Sequence, residues 1–223
     1  MMAPVPDYAA FIRANTSIQV TPFVPELRLW TADESLPLWT KAQAWIAAGE
    51  LSIPFWAFPW SGGQALARYV LDHPEVVSGR DVLDFGSGSG LVGLACKLAG
   101  ARRVHACDID PFAKAATMMN ADLNGLEVLA FDGVFPAQMP EGVSVVVAGD
   151  MFYERDASAS FSAMFKDVHR SGVEVIVGDP KRLGYSMEGL EEVATYDVPT
   201  SVELEDALVR RVAVCKILTT DDA

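Results

Sequence analysis

The stretch Asp81-Val-Leu-Asp-Phe-Gly-Ser-Gly-Ser-Gly90 decides the fold of this chain. Its apolar start predicts a buried strand that ends near the acid Asp84, and the segment from Leu91 predicts a helix. The alternating glycines between them predict a tight turn that a ligand approaches closely. Strand, glycine turn and helix N-terminus together are typical of a nucleotide-type site. A carboxylate at its entrance would repel a diphosphate, so we expect a ligand that carries positive charge near Asp84.

The chain after this stretch alternates between apolar runs and helical patterns, which predicts an α/β fold. We expect a doubly wound, Rossmann-like and mostly parallel sheet with helices on both faces. The predicted strands are Asp81–Phe85, Arg103–Cys107, Glu127–Phe131, Val143–Ala148 and Val173–Val177, and the predicted helices are Leu91–Leu98, Pro111–Leu123 and Asp156–Arg170. At the C-terminus, Thr195–Val198 and Ala207–Ile217 predict an antiparallel strand pair joined by the acidic turn Glu203–Asp206.

The N-terminal part departs from this alternation. We predict a small helical elaboration over residues 1–53 and the main domain over residues 54–223. Within the elaboration, Phe11–Val20 predicts a short helix that leads into a loop, Leu36–Gly49 predicts a helix, and Glu26–Trp30 predicts a strand. The main domain is expected to open with a helix from Gly62 to Leu71.

The charge balance and the cysteine content of the chain limit which partners it could bind and in which compartment it could fold. Of the 223 residues, 30 are acidic and 17 are basic, so the net charge of −13 argues against nucleic acid and permits a lysine-rich protein partner. Three cysteines without metal-like spacing predict buried thiols in a reducing compartment, and no metal site. With no signal peptide and no apolar run of membrane-spanning length, we expect a cytoplasmic protein that does not bind membranes. Oligomeric state is left open.

An acid stands at the end of every predicted parallel strand, and these ends meet at one edge of a doubly wound sheet. The five acids are Asp84, Asp108, Asp132, Asp150 and Asp179. Asp108 follows the glycine turn at the interval of a ribose-binding acid, although it could also cap the next helix, a role that suits Asp110 better. Asp132 could accept a hydrogen bond from the exocyclic amine of adenine, or could be a solvated loop residue.

Two nucleoside ligands compete for this site. Gly88-Ser-Gly-Leu-Val-Gly93 formally matches the dinucleotide fingerprint, but glycine is dense here and Asp84 opposes a diphosphate. S-adenosylmethionine (AdoMet) combines adenosine with an ammonium and a sulfonium, which strand-end carboxylates would stabilise. We therefore predict AdoMet as the cofactor.

Several motifs resemble one enzyme family. Asp84-Phe-Gly-Ser-Gly-Ser-Gly90 with the later Cys107-Asp-Ile-Asp-Pro111 is similar to the class I AdoMet-dependent methyltransferases. The segments Pro54-Phe-Trp-Ala-Phe-Pro-Trp-Ser-Gly-Gly-Gln-Ala-Leu-Ala-Arg-Tyr69 and Gly149-Asp-Met-Phe-Tyr-Glu154 resemble the lysine methyltransferases of the electron-transfer-flavoprotein β-subunit type. The resemblance covers roughly Pro54 to Pro180.

The resemblance implies roles for particular residues. Asp150 and Tyr153 would hold the target lysine, with Trp60 lining the AdoMet site, Gly86 and Gly88 contacting the methionine portion, and Asp108 binding the ribose. The full predicted cofactor-binding set is Trp60, Asp84, Gly86, Gly88, Asp108, Ile109, Asp132 and Gly149.

Physical chemistry supports the acceptor assignment. A lysine ammonium has no lone pair, so it must lose a proton before it attacks a methyl group. Asp150 can orient the amine by hydrogen bonding, and Tyr153 can add a hydroxyl contact or an aromatic wall, unless it merely packs at the strand end.

These expectations lead to one preferred function and several alternatives. The preferred function is AdoMet-dependent lysine methylation of a protein, which the resemblance implies is the β subunit of electron transfer flavoprotein. Open alternatives are a methyltransferase for another protein such as a ribosomal protein, or for a small amine. A dinucleotide-dependent oxidoreductase and a non-catalytic AdoMet-binding module are the rivals from other classes.

Overall fold

A seven-stranded sheet forms the centre of the molecule. The computed structural model describes residues 7–32, 54–152, 155–181 and 189–218. In these residues the sheet has the order β5-β4-β3-β6-β7-β9-β8. Its strands are β3 (Asp81–Phe85), β4 (Arg103–Cys107), β5 (Leu129–Phe131), β6 (Val143–Gly149), β7 (Glu174–Asp179), β8 (Leu190–Pro199) and β9 (Val209–Ile217).

Strand direction brings several chain segments to one edge of this sheet. Strands β3 to β7 are mutually parallel, whereas β9 is antiparallel to both β7 and β8. Ile176 pairs with Lys216, and Asp179 at the end of β7 pairs with Ala213, so β9 starts at the edge where β7 ends. The connection between β8 and β9 therefore lies at the edge where the parallel strands end, which we call the carboxyl edge. The predicted doubly wound, mostly parallel sheet with an antiparallel C-terminal pair is confirmed.

Helices cover both faces of the sheet. On one face, Val82, Val145 and Val147 pack with helix residues such as Leu66 and Leu94. On the other face, Leu83, Val146 and Val175 pack with Phe165. Burial on both faces explains why these strands are nearly continuous apolar runs. The helices of the main domain are α2 (Ser61–Asp72), α3 (Leu91–Leu98), α4 (Pro111–Asn124), α5 (Arg155–Arg170) and α6 (Val202–Glu205).

The N-terminal segment corrects one expectation. Helix α1 (Tyr8–Asn15) is short, but a strand, β1 (Ser17–Thr21), follows it in place of the expected loop and pairs antiparallel with β2 (Val24–Thr31). The β-branched residues from Thr16 onwards lose side-chain freedom in a helix and favour a strand. The predicted helix over Leu36–Gly49 lies outside the described residues.

The C-terminal pair also differs in detail from its prediction. Strand β8 begins at Leu190, before the expected Thr195, and the expected acidic turn contains the short helix α6. Ser201 caps this helix through a hydrogen bond from the Leu204 N–H to its hydroxyl. The division of the chain at residue 54 stays a prediction.

Candidate functional site

A cavity of about 970 Å³ opens at the carboxyl edge. The ends of β3, β4 and β6 contribute to its lining, together with the glycine turn, the aromatic segment before α2, and the connection between β8 and β9. Its volume suits a ligand of nucleoside size.

The glycine turn has a backbone conformation that side chains rarely adopt. Gly86, Gly88 and Gly90 have φ values of 68°, 52° and 83°. A Cβ atom at Gly86 would also lie 2.5 Å from the sulfur of Met151. The N–H of Gly86 donates to the carbonyl of Cys107 at 2.8 Å, which ties the turn to β4. Glycine is therefore required here for the turn and for the close approach of β6's loop.

Asp84 is buried between the cavity and helix α3. Its Oδ2 atom accepts a hydrogen bond of 2.9 Å from the N–H of Gly93. Burial raises the pKa of this carboxyl to about 7, and the negative charge of Asp108 raises it further. The hydrogen bond from Gly93 acts in the opposite direction and lowers the pKa. A cation brought to this end of the cavity would favour the ionised carboxylate.

Asp108 faces the cavity from the end of β4. Its two oxygens each accept a backbone hydrogen bond of 2.9 Å, from Gly88 and from Asp110. Asp110 in turn caps α4 by accepting from the N–H of Phe112, so helix capping belongs to Asp110 and not to Asp108. Each oxygen of Asp108 keeps a further lone pair, which can accept from a ribose hydroxyl. The neighbouring Ile109 is fully exposed and lines the same cavity.

Asp132 is the predicted cofactor residue that the structure does not bring to the cavity. Its side chain is 77% exposed and pairs with Lys114 at 2.6 Å. It does not contribute to the lining. This placement does not support an adenine contact.

Trp60 forms part of an aromatic wall at the start of α2. Its indole N–H donates to the carbonyl of Phe55 at 2.9 Å. Its ring meets those of Phe55 and Phe58 edge-to-face, at centroid distances of 5.9 and 6.1 Å. The three rings line the cavity with Trp60 held in a fixed orientation.

Asp150 is held against the first turn of α2. Its Oδ2 atom accepts a hydrogen bond of 2.6 Å from the N–H of Gly63. A Cβ at Gly62 would lie 2.6 Å from that same oxygen, and a Cβ at Gly149 would lie 2.7 Å from the Cα of Gly63. The glycines of the Ser-Gly-Gly motif thus allow the helix N-terminus to approach Asp150, and its positive end favours the carboxylate. Asp150 lines the cavity, whereas Tyr153 lies outside the described residues.

Glu205 is a cavity residue that sequence reasoning missed. Although it stands between β8 and β9, its buried carboxylate accepts from both the N–H and the hydroxyl of Ser61, each at 2.8 Å. Arg210 lies 3.5 Å from the same carboxylate and donates to the Glu205 carbonyl. The antiparallel direction of the last strand could have indicated this contact, because it places the preceding turn at the carboxyl edge.

The charges around the cavity favour a cationic ligand over a diphosphate. Asp84, Asp108 and Asp150 all line it. Among the described residues of the lining, Arg210 is the single lysine or arginine, and it is paired with Glu205. The ammonium and sulfonium of AdoMet suit this set of side chains, and a dinucleotide does not. Within the described ranges, no group of three or more His, Cys, Asp or Glu residues could hold a metal ion.

Comparisons with known proteins identify the class and then the family. The model of the ribosomal protein L11 methyltransferase family matches residues 64–150. The structure of a ribosomal protein L11 methylase from Lactobacillus delbrueckii shares the fold, with a TM-score of 0.52 and 18% identity over 73% of this chain and 81% of that one. Fold and site define a class I AdoMet-dependent methyltransferase.

Relatives that match most of the chain show the family. The electron transfer flavoprotein β subunit lysine methyltransferase of Homo sapiens is 36% identical over 213 residues, covering 91% of this chain and 79% of the human one. The Danio rerio protein of the same name is 36% identical over 217 residues, covering 90% and 79%. The chain belongs to this family and is an AdoMet-dependent lysine methyltransferase.

Proposed function

We propose that this enzyme methylates a lysine of the β subunit of electron transfer flavoprotein, with Asp150 holding the acceptor amine. The observation that carries the proposal is that Asp150, at the end of β6, lines the cavity while the N–H of Gly63 holds its carboxylate in place. The names of the human and zebrafish relatives support the choice of substrate.

The cofactor-binding residues are proposed from their positions around the cavity. Asp84 lies where it can stabilise the positive charge of AdoMet, Asp108 can accept from the ribose hydroxyls, and Trp60 and Ile109 can cover the nucleoside. AdoMet, when bound by these residues, would supply an activated methyl group for transfer to the lysine nitrogen. The Gly86 and Gly88 backbone permits close approach of the methionine portion.

The work of the protein side chains is to bind, orient and desolvate the acceptor. Asp150 can accept a hydrogen bond from the lysine nitrogen and so fix the direction of its lone pair. The aromatic wall of Phe55, Phe58 and Trp60 lines the same cavity and can shield the acceptor amine from water. Tyr153, three residues after Asp150, is proposed as a second contact of the acceptor amine.

The substrate is tested by labelling. Tritiated AdoMet is incubated with the enzyme and either purified electron transfer flavoprotein β subunit or a cell lysate, and labelled bands are identified by mass spectrometry. We expect the label on lysine of the β subunit. Label on ribosomal protein L11 in its place would favour the family matched over residues 64–150. Label confined to small molecules would contradict a protein substrate.

We also propose a cytoplasmic location. Support comes from the three cysteines, which are free and buried as thiols in the structure. In the described part of the chain, no helix has the length and apolar character needed to cross a membrane.

A further inference from the structure

The connection between β8 and β9, with the first residue of β9, exposes three aliphatic side chains beside the cavity. We call residues 200–210 the hairpin tip. Val202, Leu208 and Val209 are 52%, 71% and 56% exposed. The N–H of Thr200 donates to the carbonyl of Leu208 at 3.0 Å, which closes the tip and holds its two sides together. Exposed aliphatic groups gathered in one segment are typical of an interaction surface.

The hairpin tip is fixed to the active site. Leu204, Glu205, Asp206 and Arg210 line the cavity, so one side of the tip faces the cofactor site while the other faces solvent. The two hydrogen bonds from Ser61 to the buried Glu205 join the tip to the first turn of α2. Two residues after Ser61 in the same helical turn, the N–H of Gly63 donates a hydrogen bond to the carboxylate of Asp150. A molecule seated on the tip would therefore lie next to the acceptor end of the cavity.

The charges of the hairpin tip indicate which partner would bind there. Glu203 and Asp206 are exposed, whereas Arg210 is engaged with Glu205. The whole chain carries a net charge of −13. An acidic surface with exposed aliphatic groups is complementary to a basic segment that also presents apolar side chains.

We propose that the hairpin tip is the docking surface for the protein substrate, in the region that surrounds the target lysine. Val202, Leu208 and Val209 contact apolar side chains next to that lysine, and Glu203 and Asp206 face neighbouring basic ones. This inference rests on the proposed function, since it names the surface that would bring a protein lysine to Asp150.

The experiment compares two double variants in steady-state methylation of purified electron transfer flavoprotein β subunit. Val202→Ser/Leu208→Ser removes aliphatic groups from the hairpin tip. Ile18→Ser/Val20→Ser is the matched control, because those side chains are 45% and 52% exposed on β1 and do not line the cavity. For the tip variant we expect a rise of about tenfold in the KM for the protein, with kcat and AdoMet affinity as in the wild type. The control should match the wild type in all three.

Each other outcome contradicts the docking surface in a distinct way. If the wild type is active and the KM of the tip variant is unchanged, the hairpin tip does not bind the protein substrate, and the proposed function still stands. A fall in kcat at constant KM would assign the tip to positioning. A wild-type dimer in sedimentation that the tip variant loses would assign the surface to a second copy of this chain. Failure of the wild type to methylate any protein would contradict the proposed function, and the docking surface with it.

Discussion

Two aspartates on one strand, Asp81 and Asp84, have opposite surroundings. Both lie on the five-residue β3 and both are 1% exposed. Asp81, at the start of the strand, binds Arg102 and Arg103, whose hydrogen bonds hold the pKa of its carboxyl well below the usual range. Asp84, near the end, is bonded by the N–H of Gly93, and burial raises its pKa to about 7. No lysine or arginine in the described ranges forms an ion pair with it.

The different surroundings of Asp81 and Asp84 indicate that one edge of the sheet serves stability and the other edge serves ligand binding. At the opposite edge, where the parallel strands begin and which we call the amino edge, Arg102 and Arg103 neutralise the buried charge of Asp81. At the carboxyl edge, the charge of Asp84 is poorly compensated, which lowers stability but prepares the site for a cation. The same contrast predicts that substitutions at the carboxyl edge change binding and chemistry, and that substitutions at the amino edge change stability.

The largest effect is expected from Asp150→Ala at the carboxyl edge. Loss of the group that orients the acceptor amine should lower kcat by about 100-fold or more. AdoMet affinity, measured by calorimetry, should be nearly unchanged. A variant with full activity would remove Asp150 from the acceptor site.

Asp84→Asn should chiefly weaken cofactor binding. Removing one charge-assisted contact is expected to raise the AdoMet Kd by about tenfold. Since the variant no longer buries a charge, its melting temperature at about pH 8 should not fall below that of the wild type. An unchanged Kd would show that Asp84 serves the fold and not the ligand.

Asp81→Asn should produce the reverse pattern. The variant loses the ionic hydrogen bonds to Arg102 and Arg103, so we expect a melting temperature several degrees lower at neutral pH. Because the folded pKa of Asp81 is depressed, this stabilisation is present above the ordinary carboxyl pKa and is lost as the pH falls through the folded value. The difference from the wild type in thermal scans should thus close in strong acid. A loss of AdoMet affinity in this variant would contradict the division between the two edges.

The smallest effect is a pH dependence of AdoMet affinity. In the free enzyme the pKa of Asp84 is about 7, and a bound cation favours its ionised form, so binding releases a proton below that pH. Affinity should therefore rise severalfold between about pH 6 and about pH 7.5 and then level off. In Asp84→Asn, AdoMet affinity should depend less on pH than in the wild type. An equal pH dependence in both proteins would show that a group other than Asp84 releases the proton on binding.

Local features of this molecule could be predicted from the sequence, whereas contacts between distant parts of the chain could not. The stretch from Asp81 to Gly90 predicted β3, the turn and α3, because local pattern and glycine conformation determine them. The acids at strand ends followed from parallel topology, which places them at one edge. For Glu205, the antiparallel last strand could indicate only that the preceding turn lies at the carboxyl edge, whereas the contact with Ser61 spans 144 residues and depends on how β9 packs. The sequence does not show the ion pair of Asp132 with Lys114, because the loop after β5 sets the direction of that carboxylate, and its adenine contact stays a prediction.

We propose that Asp150 presents a protein lysine at the carboxyl edge. Peptide mapping by mass spectrometry tests it, after purified electron transfer flavoprotein β subunit has been incubated with AdoMet and the wild type, Asp150→Ala or Asp81→Asn at a temperature where all three are folded. We predict methylated lysine with the wild type and Asp81→Asn, and almost none with Asp150→Ala. A β subunit left unmodified by the wild type, or methylated equally by Asp150→Ala, would contradict the account.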